Sequence, residues 1–135
     1  MAQLIFVVPG LPSPWTVWVK RGPPPAGFER MRAYQETIQA YARRAWGDRD
    51  SLRGPVHVDT EFYLPSPGVE TARKYRFPIR AGGHDPDLDN LRKVAIDAIQ
   101  GIIVVNDVLV VSGAVLKCWS PADSPGETLF RVREL

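Results

Sequence analysis

Residues 86–101 constrain the fold more than any other stretch. Leu91, Val94, Ala95, Ala98 and Ile99 recur at i, i+3, i+4, i+7 and i+8, the spacing of a helix with one apolar face. The pattern predicts a helix from about Asp89 to Gln100, ended by Gly101. Its mouth is crowded with polar groups: Asp85, Asp87 and Asp89 supply three carboxylates, Asn90 an amide and Lys93 an ammonium. Lys93 lies one turn beyond Asp89, and Asp97 one turn beyond Lys93, all outside the apolar stripe. Such a helix buries one side and presents a charged ridge on the other.

The other elements follow from shorter patterns. Leu4–Val8 is β-branched and aromatic, reads as a strand and runs into Pro9-Gly10. Residues 11–28, rich in Pro, Gly and Trp, are expected to form a long loop carrying Trp15, Trp18, Lys20 and Arg21. Met31 to Trp46 has helical spacing, with Arg43 and Arg44 complementing the dipole of its last turn. Val56 to Leu64 alternates as a half-buried strand does. Residues 65–83 are expected to be irregular. Ile102–Val105 and Val108–Leu116 read as strands split by a tight turn at Asn106-Asp107. Leu129–Arg133 closes the chain as an alternating strand. The sum is one α+β domain over residues 1–135: a small, mainly four-stranded sheet with two helices packed on one face.

Composition narrows the compartment and the partner. Cys118 is the only cysteine, so no intrachain disulfide can form, and its apolar surroundings read as core. No apolar run approaches the roughly 20 residues that span a bilayer, and the short apolar start lacks a basic leader. A soluble cytoplasmic protein with no membrane partner is expected. Residues 1–84 carry twelve Lys/Arg against seven Asp/Glu, and residues 85–135 five against eight. A basic front half followed by an acidic cluster suits a protein that grips a polyanion and holds a cation against it; solvated surface charge would give the same count.

The acidic cluster has its own chemistry. In extended chain, residues two apart point the same way, so Asp87 and Asp89 are expected to reach one ion. Magnesium takes oxygen ligands, usually one or two protein carboxylates with waters and substrate phosphate. Asp87, Asp89 and Asp107 supply enough oxygen for one such ion, with Lys93 beside it for a phosphate. A structural reading competes: Asp89 or Asn90 is a good helix cap, and Asn106-Asp107 a good turn.

The series Asp87-Leu88-Asp89-Asn90-Leu91-Arg92-Lys93, then Asp97-Ala98-Ile99-Gln100-Gly101, then Asn106-Asp107 resembles the signature of RusA-type Holliday junction resolvases. Phe6-Val7-Val8-Pro9-Gly10-Leu11-Pro12 is similar to that family's first strand and turn. The resemblance implies a small homodimeric endonuclease, often carried by phages and prophages. Such enzymes use Mg²⁺ to place paired symmetric nicks across four-way DNA junctions in recombination and repair. It implies Asp87, Asp89 and Asp107 as metal-binding carboxylates and Lys93 as the essential lysine. Family members commonly have two acids where this chain has Asn106-Asp107, and a basic loop where it has Trp15 and Trp18.

Arg73-Lys74-Tyr75-Arg76-Phe77-Pro78-Ile79-Arg80 interleaves cations with aromatics just before the cluster, as a surface for phosphates and unstacked bases would; a charged edge strand would read alike. Lys20, Arg21 and Lys117 are further DNA-binding candidates, with Arg30 and Arg32 beside the first two in sequence. Asp97 is expected to pair with Lys93, Asp85 to be loop surface, and His57 to have no role. Two rivals stand beside the resolvase: a module that binds branched DNA without cutting, and a nuclease of the same fold with relaxed substrate choice.

Overall fold

The computed structural model describes residues 3–135 except Val17, Val19, Lys20 and Gly83. The expected role of Lys20 therefore lies outside the described residues. The architecture is α+β, with a mixed five-stranded sheet and three helices: β1 (Leu4–Pro9), α1 (Phe28–Trp46), β2 (Val56–Leu64), α2 (Val69–Lys74), α3 (Leu88–Ile99), β3 (Val110–Ser112), β4 (Val115–Trp119) and β5 (Glu127–Glu134).

β5 lies between β1 and β2, antiparallel to both. β3 and β4 run parallel to β2 along its other side: Val110 and Ser112 pair with Val56 and His57, and Val115–Trp119 pair with Thr60–Leu64. The two segments are one edge strand interrupted at Gly113-Ala114, so the sheet is four strands wide although it has five strands.

Alternation decides which face is covered. Val56, Val58, Thr60, Phe62 and Leu64 of β2 are buried, as are Thr128, Phe130 and Val132 of β5 and Phe6 and Val8 of β1. Apolar residues of this face share a core with Met31, Tyr34, Ile38, Ala42 and Trp46 of α1 and Leu91, Val94, Ala95, Ala98 and Ile99 of α3. Both long helices thus cover one face of the sheet, as their apolar stripes require. A buried hydrogen bond between the Tyr34 and Thr128 hydroxyls ties α1 to β5. Burial pushes the Tyr34 phenol well above its ordinary pKa. The opposite face stays open, with Ile5 and Val7 exposed.

Four local expectations need correction. α1 begins three residues before Met31, because Gly27, at φ 86°, turns the chain and its carbonyl accepts the Met31 N–H at 2.9 Å. Residues 69–74, expected to be irregular, form the short helix α2, which buries no side chain. Ile102–Val105 is not a strand. Gly101, at φ 84°, turns the chain so sharply that Ile103 and Val104 plug the core from a turn, where the Ile103 carbonyl accepts the Leu52 N–H at 2.7 Å and the Val105 N–H donates to the Leu52 carbonyl at 3.0 Å. Cys118 is half-buried on β4 rather than part of the core, and burial raises its thiol pKa. Among the described residues no helix is long and apolar enough to cross a membrane.

Candidate active site

The first turn of α3 divides the acidic cluster. Asp87 is the capping residue, still extended at φ −70°, ψ 140°, while Leu88 already begins the helix. The backbone is extended at Asp87 and helical from Leu88, so the rule that residues two apart in extended chain point the same way does not apply across Asp87 and Asp89. Asp87 lines a large cleft of about 910 Å³ with Asn90, Lys117, Trp15 and Trp119. Asp89 lines a separate cleft of about 340 Å³ with Arg92, Lys93, Asp97 and Asp107. The extended-chain premise fails because Leu88 already begins the helix; the two carboxylates flank the α3 entrance, each on its own cleft.

Asp107 reaches the smaller cleft through local hydrogen bonds. The Asn106 side chain accepts the Val108 N–H at 2.9 Å and opens a 3₁₀ turn over Asp107–Leu109. The Asp107 N–H donates to Gln100 Oε1 at 2.9 Å. Asn106 serves here as the cap of this turn. Gln100, which the sequence marked only as the end of the helix, anchors the turn to the end of α3.

Lys93 and Asp97 form the expected i, i+4 pair, at 3.6 Å. The Lys93 ammonium also lies 4.8 Å from the centroid of the Trp15 ring, a cation–π contact. The Trp15 backbone is itself fixed to α3, its amide N–H donating to the Asn90 carbonyl at 3.1 Å.

Arg92 is the residue that sequence reasoning missed. It is half-buried and reaches from α3 to β2, donating to Thr60 Oγ1 at 2.9 Å and to the Val58 carbonyl at 3.1 Å. The break between β3 and β4 is what makes this contact. At Gly113 the edge strand leaves the ladder, and Arg92 caps the Val58 carbonyl there. Burial pulls the Arg92 guanidinium below its ordinary pKa, opposed by the charge of Asp59. Asp59 accepts the Ala114 N–H at 2.8 Å, the strongest influence holding its carboxyl below the usual range; burial opposes this, and His57 and Arg131 reinforce it. His57 bridges Asp59 and Ser112 at 2.8 Å each, so it does have a structural part. Arg92→Met keeps the side-chain stem and leaves the Val58 carbonyl unpaired, so a stability loss of about 1–3 kcal/mol is expected in urea denaturation. A loss under about 0.5 kcal/mol would show that the contact contributes little.

The basic candidates separate into exposed and committed groups. Arg21, Arg73, Lys74 and Arg76 are exposed. Arg80 is not free: its Nε and Nη2 donate to the two Asp85 oxygens at 3.0 and 3.1 Å, and its backbone N–H to Asp85 at 2.7 Å. Asp85 is therefore a buried loop clamp, its side chain only 4% exposed, rather than loop surface. Burial alone would raise its pKa, but the Arg80 hydrogen bonds, with the charges of Arg80 and Lys117, outweigh it and hold the carboxyl low. Lys117 donates to the Pro86 carbonyl at 2.8 Å and ties β4 to the entrance of α3.

A family model described as endodeoxyribonuclease RusA matches residues 12–126. The chain belongs to the RusA endodeoxyribonuclease family. The matched stretch contains the acid cleft, all of the large cleft's lining but Leu11, all of α3 and the Asp107 turn. No curated protein matches the chain. Membership of the RusA family supports nuclease activity on DNA, and an acid cleft with a lysine in its wall is consistent with that chemistry.

The residues fit a hard divalent cation in chemistry and number. Among the described residues no three His, Cys, Asp or Glu side chains close into a metal cage. Magnesium does not need one, since one or two carboxylates suffice when water and phosphate complete the shell. Asp89 and Asp107, on one cleft, are such a pair.

Proposed function

We propose that this chain is a Mg²⁺-dependent, structure-selective endodeoxyribonuclease that resolves four-way DNA junctions by paired symmetric nicks, working as a homodimer. The observation that carries this reading is the cleft shared by Asp89, Lys93, Asp97 and Asp107, inside a stretch that matches an endodeoxyribonuclease family. Asp89 and Asp107 would hold the cation, with Asp87 contributing from the other flank of the α3 entrance. The cation would supply Lewis acidity toward water and the non-bridging phosphate oxygens.

The chain's own groups do the positioning. The Lys93 ammonium, held by Asp97 and the Trp15 ring, meets a phosphate oxygen and stabilises charge as water attacks phosphorus in line. Arg92 adds a fixed positive charge to the wall of the same cleft. Arg21, Arg73, Lys74 and Arg76, with Lys20, grip the DNA backbone, while Lys117 shapes the cleft wall and Arg80 holds the loop. The products are 5′-phosphate and 3′-hydroxyl ends. A two-fold junction cut on two strands calls for two equivalent sites, which a symmetric dimer supplies; sedimentation is expected to give twice the mass of one 15.1 kDa chain.

A labelled synthetic four-way junction tests the reading. With Mg²⁺, paired nicks at symmetric positions are expected; with EDTA, binding without cleavage; and linear duplex of the same sequence is expected to remain uncut. Binding with no cleavage in either buffer would reduce the protein to a branched-DNA binding module. Equal cutting of duplex would make it a nuclease of relaxed choice.

A further inference from the structure

The cleft on the Asp87 flank is larger than a cation and a phosphate require. Its volume, about 910 Å³, lies within the range of about 300–1,000 Å³ typical of pockets for small organic molecules. Two indoles, Trp15 and Trp119, lie in its wall, together with the cations of Arg30 and Lys117. Trp119 is held by its own Nε1, which donates to the Tyr75 carbonyl at 2.8 Å. Trp15 is held to α3 through Asn90 and packs against the core. The Trp119 ring is thus held by a hydrogen bond, and the Trp15 ring by packing on a backbone anchored to α3.

Trp15 also joins the two clefts. It lines the large one, and its ring carries the ammonium of Lys93, which lines the acid cleft. A phosphate held at Lys93 would thus lie beside this indole. Intact duplex is too wide and too well stacked to use a ring in such a recess, whereas a strand exchange point offers bases whose stacking is already weakened. Every base has a π-face, so a ring of this kind accepts any of the four.

We propose that the large cleft receives one unpaired nucleotide adjoining the scissile phosphate, with its base stacked on Trp15 and its backbone at the Arg30 and Lys117 rim. The proposal rests on the nuclease reading above and adds to it the chemical class of ligand for a second subsite.

The test is a cycle between side chain and base, read as junction binding in Mg²⁺-free buffer. Trp15→Phe keeps an aromatic face; Trp15→Leu keeps apolar bulk without one. The DNA arm is a set of four-way junctions with a single abasic site moved through the positions flanking the exchange point. Trp15→Leu is expected to weaken binding to the intact junction roughly tenfold, the size of one base–aromatic stack, and Trp15→Phe far less. At one abasic position the wild type is expected to lose the same factor and Trp15→Leu to lose nothing more. Losses that multiply at every position, or equal behaviour of the Phe and Leu variants, would overturn the subsite while leaving cleavage by the wild type intact. A wild type that neither binds nor cuts branched DNA would overturn the nuclease reading and the subsite with it. Thermal melting of each variant separates a folding defect from a lost stack, and Trp15→Phe keeps the comparison usable if Trp15→Leu melts early.

Discussion

Asp89→Asn and Asp107→Asn are each expected to lower junction cleavage by about a thousandfold or more while leaving junction binding in Mg²⁺-free buffer unchanged. Asparagine keeps the size and one oxygen of aspartate and removes the charge that a hard cation needs. Both side chains are exposed, so the fold does not depend on them. The Asp107 backbone stays anchored by the Gln100 side chain, and the turn around it by Asn106. Asp87→Asn is expected to lose cleavage as well. Activity retained in that variant alone would confine the chemistry to the cleft between Asp89 and Asp107. Wild-type cleavage in both Asp89→Asn and Asp107→Asn would remove the acid cleft from the reaction altogether.

The largest effect on stability is expected at Gly113. Its φ of +150° is one that other residues rarely adopt, and a Cβ there would stand 1.7 Å from the Val58 carbonyl oxygen and 2.6 Å from its carbon. Both atoms are backbone, so relief requires the edge strand to move away from β2. That movement would also disturb Arg92, whose Nη2 lies 3.1 Å from the same point. Gly113→Ala is expected to cost about 3 kcal/mol or more, combining overpacking with backbone strain. Gly54→Ala is the control, since nothing lies within 4 Å of its Cβ position. Equal urea midpoints for the two variants would show that the close approach at Gly113 is relieved at little cost.

The legible part of this fold was the part written in periodicity. α3, β2 and β5 fell where their spacing placed them, because each buries one face against the same core. The α+β class followed from them. What escaped was set by contacts between distant segments. α2 has no buried face and hence no apolar stripe to read. Ile103 and Val104 look like strand residues because they are β-branched and buried, yet Gly101 and the bond to Leu52 make them a plug. The break at Gly113-Ala114 sits inside a run that reads as continuous strand, and the group that meets the Val58 carbonyl there, the Arg92 guanidinium, lies on another element.

The candidate site divides in the same way. Residue types were readable: Asp89, Lys93, Asp97 and Asp107 gather on one cleft, and Lys93 pairs with Asp97 as its spacing requires. Directions were not. Whether Asp87 and Asp89 share a side depends on where α3 begins, and a shift of one residue swings a side chain about 100°. Nor does sequence distinguish a cation that is free from one already committed. Arg80 stands in a run of basic residues and looks like its neighbours, but Asp85 has claimed it.

The interruption of the edge strand has a bearing on how copies of the molecule meet. A long, flat sheet border is a template on which a second chain can lay down hydrogen bonds. Here the border is cut into pieces of three and five residues, with a bend between them. Molecules brought close along one stretch of nucleic acid would find no continuous ladder to extend on this side of the sheet, which leaves β1 as its one unbroken border among the described residues.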